Sequence, residues 1–575
     1  MFILTPLLTI LSVISSNFLN WEKISAAPYD NELTFRLLLK QNNVDVLEYE
    51  LNRRANPVSN YYGQWLSKND IDSILYKEIN PELLEWLDDP NLACTYNIDN
   101  VICTSKISFL NDFFDTQIDK YRHIETDKYA FSGIDNGFSI PAHLYNDIDI
   151  VLGIGDFPDS VFKRHRLPSK LTDGSYIISP ESIRRLYNMS DSYNNSNVSS
   201  QSVVEFINDR CFNLDDLNVF LKDNNKGPIN ISKNNFWANC DMNTGAPDIE
   251  ATLDIQYQTG VNYDSDLYYV SVSEWLYQFA NELYLSENPP KVTSISYGWA
   301  EWDQCDHSVF PTCNITGSAK IYAERTNIEF MKLSLRGVSI LASSGDAGAP
   351  GRTSEQCDPD KPLNPAFPAS SPWVTAVGGT IIENATNITN PKTTLCKKNT
   401  CIGGGNEINC NIERCQWTAG GGFSNFFMRP WWQTNVTRVY LNSSVSFPPD
   451  KFFNRQGRVY PDVSLVSHNF IIRTSGEYGT VDGTSASAPS VSGMVSILNN
   501  NRVSNGKSTL GPLGPLLYHI YENCPDCFND ILIGSNNSTE ESECKWGYTA
   551  TKGFDAVYGL GTPNFNKIYD FVEAL

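Results

Sequence analysis

The chain has 575 residues, of which 41% are hydrophobic, 12% aromatic and 19% charged. This composition argues against disorder, and the length is sufficient for two or more domains that each bury a core. The 43 basic and 66 acidic residues give a net charge of −23 at pH 7, which argues against nucleic acid or an anionic membrane as a partner.

The chain begins with an apolar run, MFILTPLLTILSVISS, of the length found in secretory signal peptides. We expect a signal peptide within residues 1–27, cleaved either near Ser15 or near Ala26-Ala27. The run is short for a membrane span and is interrupted by Pro6, and no later stretch reaches about 20 apolar residues. The sequence therefore predicts a secreted protein with no membrane span.

Residues 28–160 mix helical patterns (LEYELNRR, PELLEWLDD) with short strand patterns (TFRLLLK, NVICTSKIS), which predicts a small α+β domain. Cys94 and Cys103 lie in one hairpin-like stretch and could form a disulfide. Residues 161–176 are polar and carry the basic cluster Lys163-Arg164-His165-Arg166. This segment fits a solvated linker or a processing site between a prosegment and a mature enzyme.

From 177 to 575 the pattern changes to strands alternating with helices. KVTSISYGW (291–299) and GVSILASSGD (337–346) have strand patterns, and IYAERTNIEFMKLSLR (321–336) between them has a helical pattern. This order predicts βαβ crossovers and an α/β domain built on a parallel sheet. Catalytic groups are expected at the carboxyl ends of the strands.

The fourteen cysteines include a single CxxC, Cys524-Pro-Asp-Cys527, without neighbouring histidines, so we predict disulfides and no zinc site. Asn-x-Ser/Thr sequons, the acceptors of N-linked glycans, are found only beyond residue 187. They are candidate glycosylation sites at Asn188, Asn194, Asn197, Asn230, Asn314, Asn384, Asn387, Asn435, Asn442, Asn536 and Asn537. Their distribution suggests that the chain consists of two segments with different histories.

The segment VDGTSASAPSVSG (481–493) is typical of the nucleophile turn of subtilisin-type serine peptidases, with Ser485 as the nucleophile. A serine hydroxyl needs a positioned base, which is usually histidine. None of the histidines stands in the His-Gly-Thr context that carries the base in subtilisins; they are His123, His143, His165, His307, His468 and His519. Either the motif is a coincidence or another residue type is the base.

Carboxylates are the alternative base. APDIEATLDIQYQ (246–258) predicts a helix capped by Asp248, with Glu250 and Asp254 on one face at i and i+4. A solvated acidic face is the other interpretation, but the segment is otherwise poor in charged residues, which favours a buried helix. A third acid, Asp346, follows an apolar strand and precedes a Gly-rich turn.

A serine turn with three carboxylates and no suitable histidine resembles the sedolisins, or serine-carboxyl peptidases, which have a subtilisin-like sheet. The resemblance covers most of the chain through IEATLDIQY, ISYGW, SSGDAGA, FPASSPWVTAVGGT, GGGFSNFFMRP, YPDVSL, GTSASAP and YGLGTPNF, and is closest to the lysosomal tripeptidyl-peptidase branch. YYGQWLSKNDI (61–71) is similar to that branch's prosegment. Asp482 stands where the family usually has serine.

The resemblance implies that Ser485 is the nucleophile, Glu250 the general base, Asp254 the residue that orients Glu250, and Asp346 the donor to the oxyanion. A carboxylate is a base only when ionised, and Asp346 can donate only when protonated. Both conditions are met together in mildly acidic solution, because burial and clustering raise carboxyl pKa values.

The resemblance also implies one structural calcium ion near the carboxyl end of the chain. Its ligands would be two carboxylates and three main-chain carbonyls, which form a hard-oxygen set suited to Ca²⁺. They correspond to Asp530, Ile531, Thr551, Gly553 and Asp555, with Thr551 in place of a family glycine.

The resemblance therefore implies an acid peptidase made as a zymogen, which removes tripeptides from free amino termini of polypeptides and is inhibited by its own prosegment. We expect it in the secretory pathway, in a lysosome or other acidic compartment, or outside the cell. A sedolisin-type endopeptidase is the first alternative. An inactive secreted glycoprotein with the same fold is the second, and the presence of all four catalytic residue types argues against it.

Overall fold

The computed structural model describes residues 21–124, 129–155, 169–170, 175–190, 193, 197–206, 211–243, 247–305, 318–354 and 356–575. The basic cluster at 163–166 and most of the expected signal peptide lie outside these residues. The α-helices are α1 Val44–Ala55, α2 Lys68–Leu75, α3 Pro81–Leu87, α4 Ile107–Phe113, α5 Pro180–Leu186, α6 Leu214–Asp223, α7 Ile249–Val261, α8 Leu276–Leu285, α9 Ala319–Leu335, α10 Thr394–Lys398, α11 Ile412–Cys415, α12 Thr434–Leu441, α13 Thr484–Ser504, α14 Gly514–Asn523 and α15 Phe565–Ala574.

The strands are β1 Trp21–Ala26, β2 Glu32–Leu39, β3 Ala93–Tyr96, β4 Asn100–Lys106, β5 Asp119–His123, β6 Tyr129–Ser132, β7 Ile148–Leu152, β8 Ser169–Lys170, β9 Tyr176–Ile177, β10 Ser200–Phe206, β11 Phe236–Trp237, β12 Asp266–Val272, β13 Val292–Ile295, β14 Trp299–Ala300, β15 Ser339–Ser343, β16 Ala366–Phe367, β17 Thr375–Asn387, β18 Thr400–Ile408, β19 Gly422–Met428, β20 Gly457–Tyr460, β21 Val463–Val466, β22 Phe470–Thr474, β23 Glu477–Val481, β24 Phe528–Asn529 and β25 Thr562–Pro563. Two compact units contain these elements.

The first unit comprises residues 1–39, 80–162 and 306–316. Its described part contains a four-stranded antiparallel sheet of order β3-β4-β2-β7 and a three-stranded sheet of order β1-β5-β6. Phe35 and Leu37 of β2 are fully buried, as are their cross-strand partners Cys103 and Val101 on β4, and α3 and α4 belong to the same unit. The α+β fold predicted for this part of the chain is confirmed.

The second unit comprises residues 40–79, 163–305 and 317–575. Its main sheet has the order β11-β12-β10-β13-β15-β17-β18-β9, with β21 also paired to β17. The pairs from β11 to β17 and the β17–β21 pair are parallel, whereas β17 and β18 are antiparallel. Helix α13 packs against β13, β15 and β17. The predicted α/β fold with a parallel sheet is confirmed.

The segment Lys40–Ile79 packs with the second unit, although the sequence places it in the stretch interpreted as prosegment. Its helix α1 contacts α9. The hydrophobic pattern of α1 buries Leu47, Leu51 and Ala55, which lie at helical spacing on one face.

Six disulfides join described residues: Cys94–Cys103, Cys211–Cys240, Cys357–Cys544, Cys396–Cys401, Cys410–Cys415 and Cys524–Cys527. The predicted hairpin disulfide is confirmed, since Cys94 and Cys103 face each other across β3 and β4. The two CxxC cysteines bind each other and are therefore not metal ligands. Within the described ranges, no helix is both long and apolar enough to cross a membrane.

Candidate active site

The nucleophile turn joins β23 to α13, and Ser485 lies in the first turn of the helix with its side chain partly exposed. Gly483 has φ +123°, a conformation that favours glycine, and its N–H donates to the Ser467 carbonyl at 2.9 Å. A Cβ atom on Gly483 would lie 2.8 Å from Oδ2 of Asp346. The glycine therefore allows Asp346 to approach the backbone immediately before the nucleophile.

Asp346 lies beyond the carboxyl end of β15, as the position of its strand predicts. Its Oδ1 accepts hydrogen bonds from the Thr484 N–H and from Thr484 Oγ1, both at 2.8 Å. Burial raises the pKa of Asp346 to about 6, and the charge of Glu540 also raises it, against the lowering effects of the Thr484 bonds and of Arg352. Oδ2, next to Gly483, can carry the proton.

Glu250 and Asp254 lie on α7, which begins where Asp248 accepts hydrogen bonds from the N–H groups of Glu250 (2.8 Å) and Ala251 (3.2 Å). The prediction of a buried helix is confirmed, because Glu250 is 3% exposed and Asp254 is 0% exposed. Burial, and next the charge of Glu250, raise the pKa of Asp254 well above its usual value. Both effects favour the protonated form of Asp254.

Ser296 connects the two helices that carry the site. Its Oγ donates to Asp254 Oδ1 at 2.7 Å, and its carbonyl accepts a hydrogen bond from Ser485 Oγ at 3.3 Å. Helix α7 also packs along α13. Asp254 on α7 and Ser485 on α13 therefore both hydrogen-bond to Ser296. The ISYGW motif contains Ser296, but the sequence alone gave no reason to choose it.

A fourth buried acid, Glu205 on β10, was not identified from the sequence. It is 0% exposed, and its Oε2 accepts a hydrogen bond from the Tyr297 hydroxyl at 2.7 Å. Burial, followed by the charge of Asp254, raises the pKa of Glu205 well above its usual value. An acidic residue near the end of the apolar strand QSVVEF was the available signal, since such strands rarely bury an unpaired charge.

The histidines do not supply a base for Ser485 in the described part of the chain. His468 follows the Ser467 carbonyl that binds Gly483, but its Nδ1 lies 2.9 Å from Oδ1 of Asp482. The Asp482 carboxylate also accepts a hydrogen bond from the Asn469 N–H at 2.6 Å. Asp482, which stands where the family usually has serine, thus contacts His468 and links the turn at 468–469 to the nucleophile turn.

The implied calcium loop holds its two acids close to each other. Asp555 is 1% exposed and accepts hydrogen bonds from the N–H groups of Thr551, Val557 and Tyr558, each at 2.9 Å. Asp530 accepts one from the Gly553 N–H at 2.8 Å. Burial raises the pKa of Asp555 to about 7, and the charge of Asp530 contributes to the rise.

Two close carboxylates, one of them fully buried, form a site where a cation would relieve the repulsion, and this donor set fits Ca²⁺. Gly553 has φ +84°, whereas Thr551 is not among the residues with positive φ, so the threonine is accommodated without backbone strain. No group of three or more His, Cys, Asp or Glu side chains suited to a metal occurs among the described residues. A bound ion would therefore depend on main-chain carbonyls as well as on the two acids.

Comparison with known proteins gives the family. Residues 19–157 match the Pro-kumamolisin activation domain. Physarolisin from Physarum polycephalum is 34% identical over 562 residues, which cover 96% of each chain. A Pseudomonas sedolisin, a serine-carboxyl proteinase, shares the fold with a TM-score of 0.51 at 21% identity, covering 70% of this chain and 99% of that one. The chain belongs to the sedolisin family.

As a sedolisin, the chain is a serine-type peptidase with an activation domain, and hence a zymogen. Human tripeptidyl-peptidase 1 is 28% identical over 582 residues, covering 95% of this chain and 92% of that protein. Tripeptidyl-peptidase sed4 from Aspergillus fumigatus is 27% identical over 613 residues, which cover 96% and 95% of the two chains.

Proposed function

We propose that this sedolisin is an acid tripeptidyl-peptidase in which Ser485 is the nucleophile and Glu250 the general base. The observation that carries the proposal is the burial of Glu250 and Asp254 on α7, which packs along α13, the helix with Ser485 in its first turn. Asp346 accepts a hydrogen bond from the N–H of Thr484, the residue before the nucleophile. The site thus combines a nucleophile, a carboxylate base and a potential acid donor.

The reaction begins with proton transfer from Ser485 Oγ to the Glu250 carboxylate as Oγ bonds to the scissile carbonyl carbon. The serine hydroxyl, which donates to the Ser296 carbonyl in this structure, first turns toward Glu250. The carbonyl oxygen becomes an oxyanion and accepts a hydrogen bond from protonated Asp346 Oδ2. Glu250 then gives its proton to the leaving amine, which leaves an acyl-enzyme on Ser485.

Water then hydrolyses the acyl-enzyme, and Glu250 again acts first as a base and then as an acid. Glu250 takes a proton from a water molecule as the water oxygen attacks the acyl carbon. As the bond from the acyl carbon to Ser485 Oγ breaks, Glu250 gives that proton to Oγ, which releases the carboxylic acid product and restores the serine. Burial favours the neutral form of Asp254, and Ser296 orients its carboxyl, so that Asp254 can donate a hydrogen bond to the Glu250 carboxylate and position it.

Removal of tripeptides is supported by the names of the relatives, whereas the catalytic residues fit exo- and endopeptidases equally. The test is incubation at acid pH of a peptide with a free amino terminus and of the same peptide acetylated, with product masses as the readout. Tripeptide release from the free peptide alone is expected. Internal cleavage of both would establish an endopeptidase, and no cleavage of either would favour the inactive glycoprotein.

The zymogen is proposed to consist of a signal peptide within 1–27, a prosegment at 28–160, a processed linker at 161–176 and the peptidase domain at 177–575. Strand β1 begins at Trp21, which is 3% exposed and packs with Tyr121. Signal cleavage near Ser15 would preserve this strand, whereas cleavage near Ala26 would remove it. We therefore favour the earlier position, which amino-terminal sequencing of the secreted zymogen would test.

The proposed environment is the secretory pathway and an acidic compartment or the extracellular space. Of the sequon asparagines, those with exposed side chains are Asn188, Asn197, Asn230, Asn384, Asn387, Asn435 and Asn442. Asn536 is fully buried, and its amide donates to the carbonyls of Gly421 and Ala556, both at 3.1 Å. A glycan on Asn536 would break these bonds, so we remove this residue from the candidates; Asn194 and Asn314 lie outside the described residues.

Calcium is proposed as a structural cofactor held by Asp530, Asp555 and the carbonyls of Ile531, Thr551 and Gly553. When bound, the ion would neutralise the two acids and fix the loop. Replacement of Asp530 by Ala should lower the melting temperature by several degrees and abolish the further decrease that a chelator causes in the wild type. Replacement of the exposed Asp526, outside the loop, is the control, and a chelator without effect on wild-type melting would exclude the ion.

A further inference from the structure

Trp65 of the segment 40–79 occupies a socket on the surface of the peptidase unit. Its indole Nε1–H donates to the Thr509 carbonyl at 2.8 Å, and the N–H of the next residue, Leu66, donates to the Leu335 carbonyl at 2.8 Å. The contact therefore fixes both the ring and the backbone of the segment.

Two glycines make room for the indole. Gly337 has φ +75° and Gly511 has φ +64°. A Cβ atom at Gly337 would lie 2.4 Å from Cδ1 of Trp65, and one at Gly511 would lie 2.3 Å from Cζ2 of the same ring. Any other residue at either position would collide with the indole, so the shape of the socket is complementary to tryptophan.

The peptidase unit holds the walls of this socket with its own hydrogen bonds. Thr509 Oγ1 donates to the Gly337 carbonyl at 2.8 Å, and Ser339 Oγ donates to the Gly511 carbonyl at 2.5 Å. Neither bond involves the segment 40–79. The socket therefore does not depend on Trp65 for its hydrogen bonding and can persist in a mature enzyme.

The socket lies at the amino ends of the strands of the main sheet, whereas the catalytic residues lie at their carboxyl ends. Gly337 precedes β15 and Asp346 follows it, so the two residues lie at the amino and carboxyl ends of one strand. Similarly, Ser485 is in the first turn of α13 and Thr509 follows its last turn; this helix has 21 residues and is about 30 Å long. An occupant of the socket cannot itself block Ser485.

A polar contact from α2 supports the same attachment. The Tyr284 hydroxyl donates to Asp72 Oδ1 at 2.5 Å, and Lys68 Nζ lies 2.5 Å from Asp72 Oδ2. Tyr284 belongs to the peptidase body, whereas Asp72 and Lys68 belong to the segment. The attachment thus has an aromatic anchor and a separate carboxylate contact.

We propose that the Trp65 socket is the anchoring surface by which the peptidase unit retains its prosegment, remote from the active site. The occupant is this chain's own segment 40–79, and the proposal rests on the proposed function only in treating that segment as part of the prosegment. After cleavage in the linker, the prosegment stays bound through this anchor. The mature enzyme retains a surface shaped for an indole.

The test compares full-length zymogens carrying Trp65→Ala, Tyr76→Ala or no substitution; Tyr76 is an aromatic control that is 64% exposed. Each is cleaved in the linker with an added protease at neutral pH, and co-elution of the prosegment with the enzyme is followed by size-exclusion chromatography. We expect retention of the prosegment in the wild type and in Tyr76→Ala, and loss of most of it in Trp65→Ala. Equal retention in all three would overturn the proposal.

The substituted residue leaves with the prosegment, so the mature enzymes have one sequence and should have one specific activity on an unblocked peptide at acid pH. Lack of activity in all of them would refute the proposed function but would leave the retention result intact. If Trp65→Ala does not fold, Trp65→Phe decides, because it keeps an aromatic ring and removes the Nε1–H donor. Weaker retention than in the wild type supports the anchor, and unchanged retention contradicts it.

Discussion

The carboxylates of the proposed active site fall into two regions with different electrostatics. Asp254 and Glu205 are both buried; the charge of Glu250 adds to the effect of burial on the pKa of Asp254, and the charge of Asp254 adds to the effect of burial on the pKa of Glu205. Asp346 is also buried, but it accepts two hydrogen bonds from Thr484, which favour its ionised form. Burial alone therefore does not set the pKa values of these acids, because hydrogen-bond donors and neighbouring charges also shift them.

The difference separates an acid whose neutral form is strongly favoured from one that titrates in mildly acidic solution. The pKa of Asp254 is raised well above its usual value, whereas Asp346 has a pKa of about 6. If Asp346 is the oxyanion donor, it sets the upper pH limit of activity. The α7 acids then supply the base and its orientation, and each of the predictions below tests this division.

The largest loss of activity should come from replacing the nucleophile or the general base. Ser485→Ala and Glu250→Gln should each lower kcat by about 10⁴-fold or more, because one removes the nucleophile and the other its base. Peptide hydrolysis at acid pH measures the loss, and a melting temperature close to that of the wild type verifies folding. Glu477→Gln, on the exposed end of β23, is the control. Near-normal turnover by folded Glu250→Gln would refute a carboxylate base.

Asp346→Asn should lower kcat by about 10- to 100-fold and shift the alkaline limb of the pH profile upward. The amide can donate to the oxyanion but cannot ionise, so the decrease in activity near pH 6 should disappear. Asp254→Asn is the matched comparison, because burial and the charge of Glu250 favour the neutral form of Asp254, and its replacement should leave the alkaline limb in place. The same shift in both variants would contradict the separation of the two regions.

Stability should follow pH in the direction set by the raised pKa values. A carboxyl whose pKa is raised on folding stabilises the folded state fully below its unfolded pKa near 4, and this contribution is lost as pH rises through the folded pKa. For Asp346 the window is about pH 4 to 6, with a slope of about 1.4 kcal/mol per pH unit. In denaturant unfolding across this window, the wild type should lose stability with rising pH relative to Asp346→Asn, because only the wild type carries this titrating group. A constant stability difference between the two proteins over the window would show that Asp346 does not titrate there.

The smallest effect is expected at the histidine beside the nucleophile turn. His468→Gln should change kcat at acid pH by no more than about threefold, because His468 contacts Asp482 and not Ser485. Hydrolysis of an unblocked peptide measures kcat, and His519→Gln, at a half-buried histidine on α14, is the control. A loss comparable to that of Glu250→Gln would identify His468 as the base and would remove the carboxylates from that role.

The sequence by itself determined the parts of this protein that depend on local pattern. The parallel α/β domain, the buried α7, the turn that carries Ser485, the strand-end position of Asp346 and the Cys94–Cys103 disulfide could all be predicted, because hydrophobic periodicity, capping and turn residues act over short stretches of chain. The identity of the three acids also came from the sequence, through motifs that recur in one order in sedolisins.

Only the tertiary structure decided which distant residues meet. Glu205 lies near the end of β10, and Ser296 directly follows β13. Because these strands are parallel neighbours, both residues lie at the carboxyl ends of the strands, where the site is. Trp65 packs with the peptidase unit although it lies within the predicted prosegment, and Asn536 is buried although its sequon suggests a surface position. Burial and partnership of this kind depend on strand order and on packing between segments hundreds of residues apart, for which a single sequence carries no local signal.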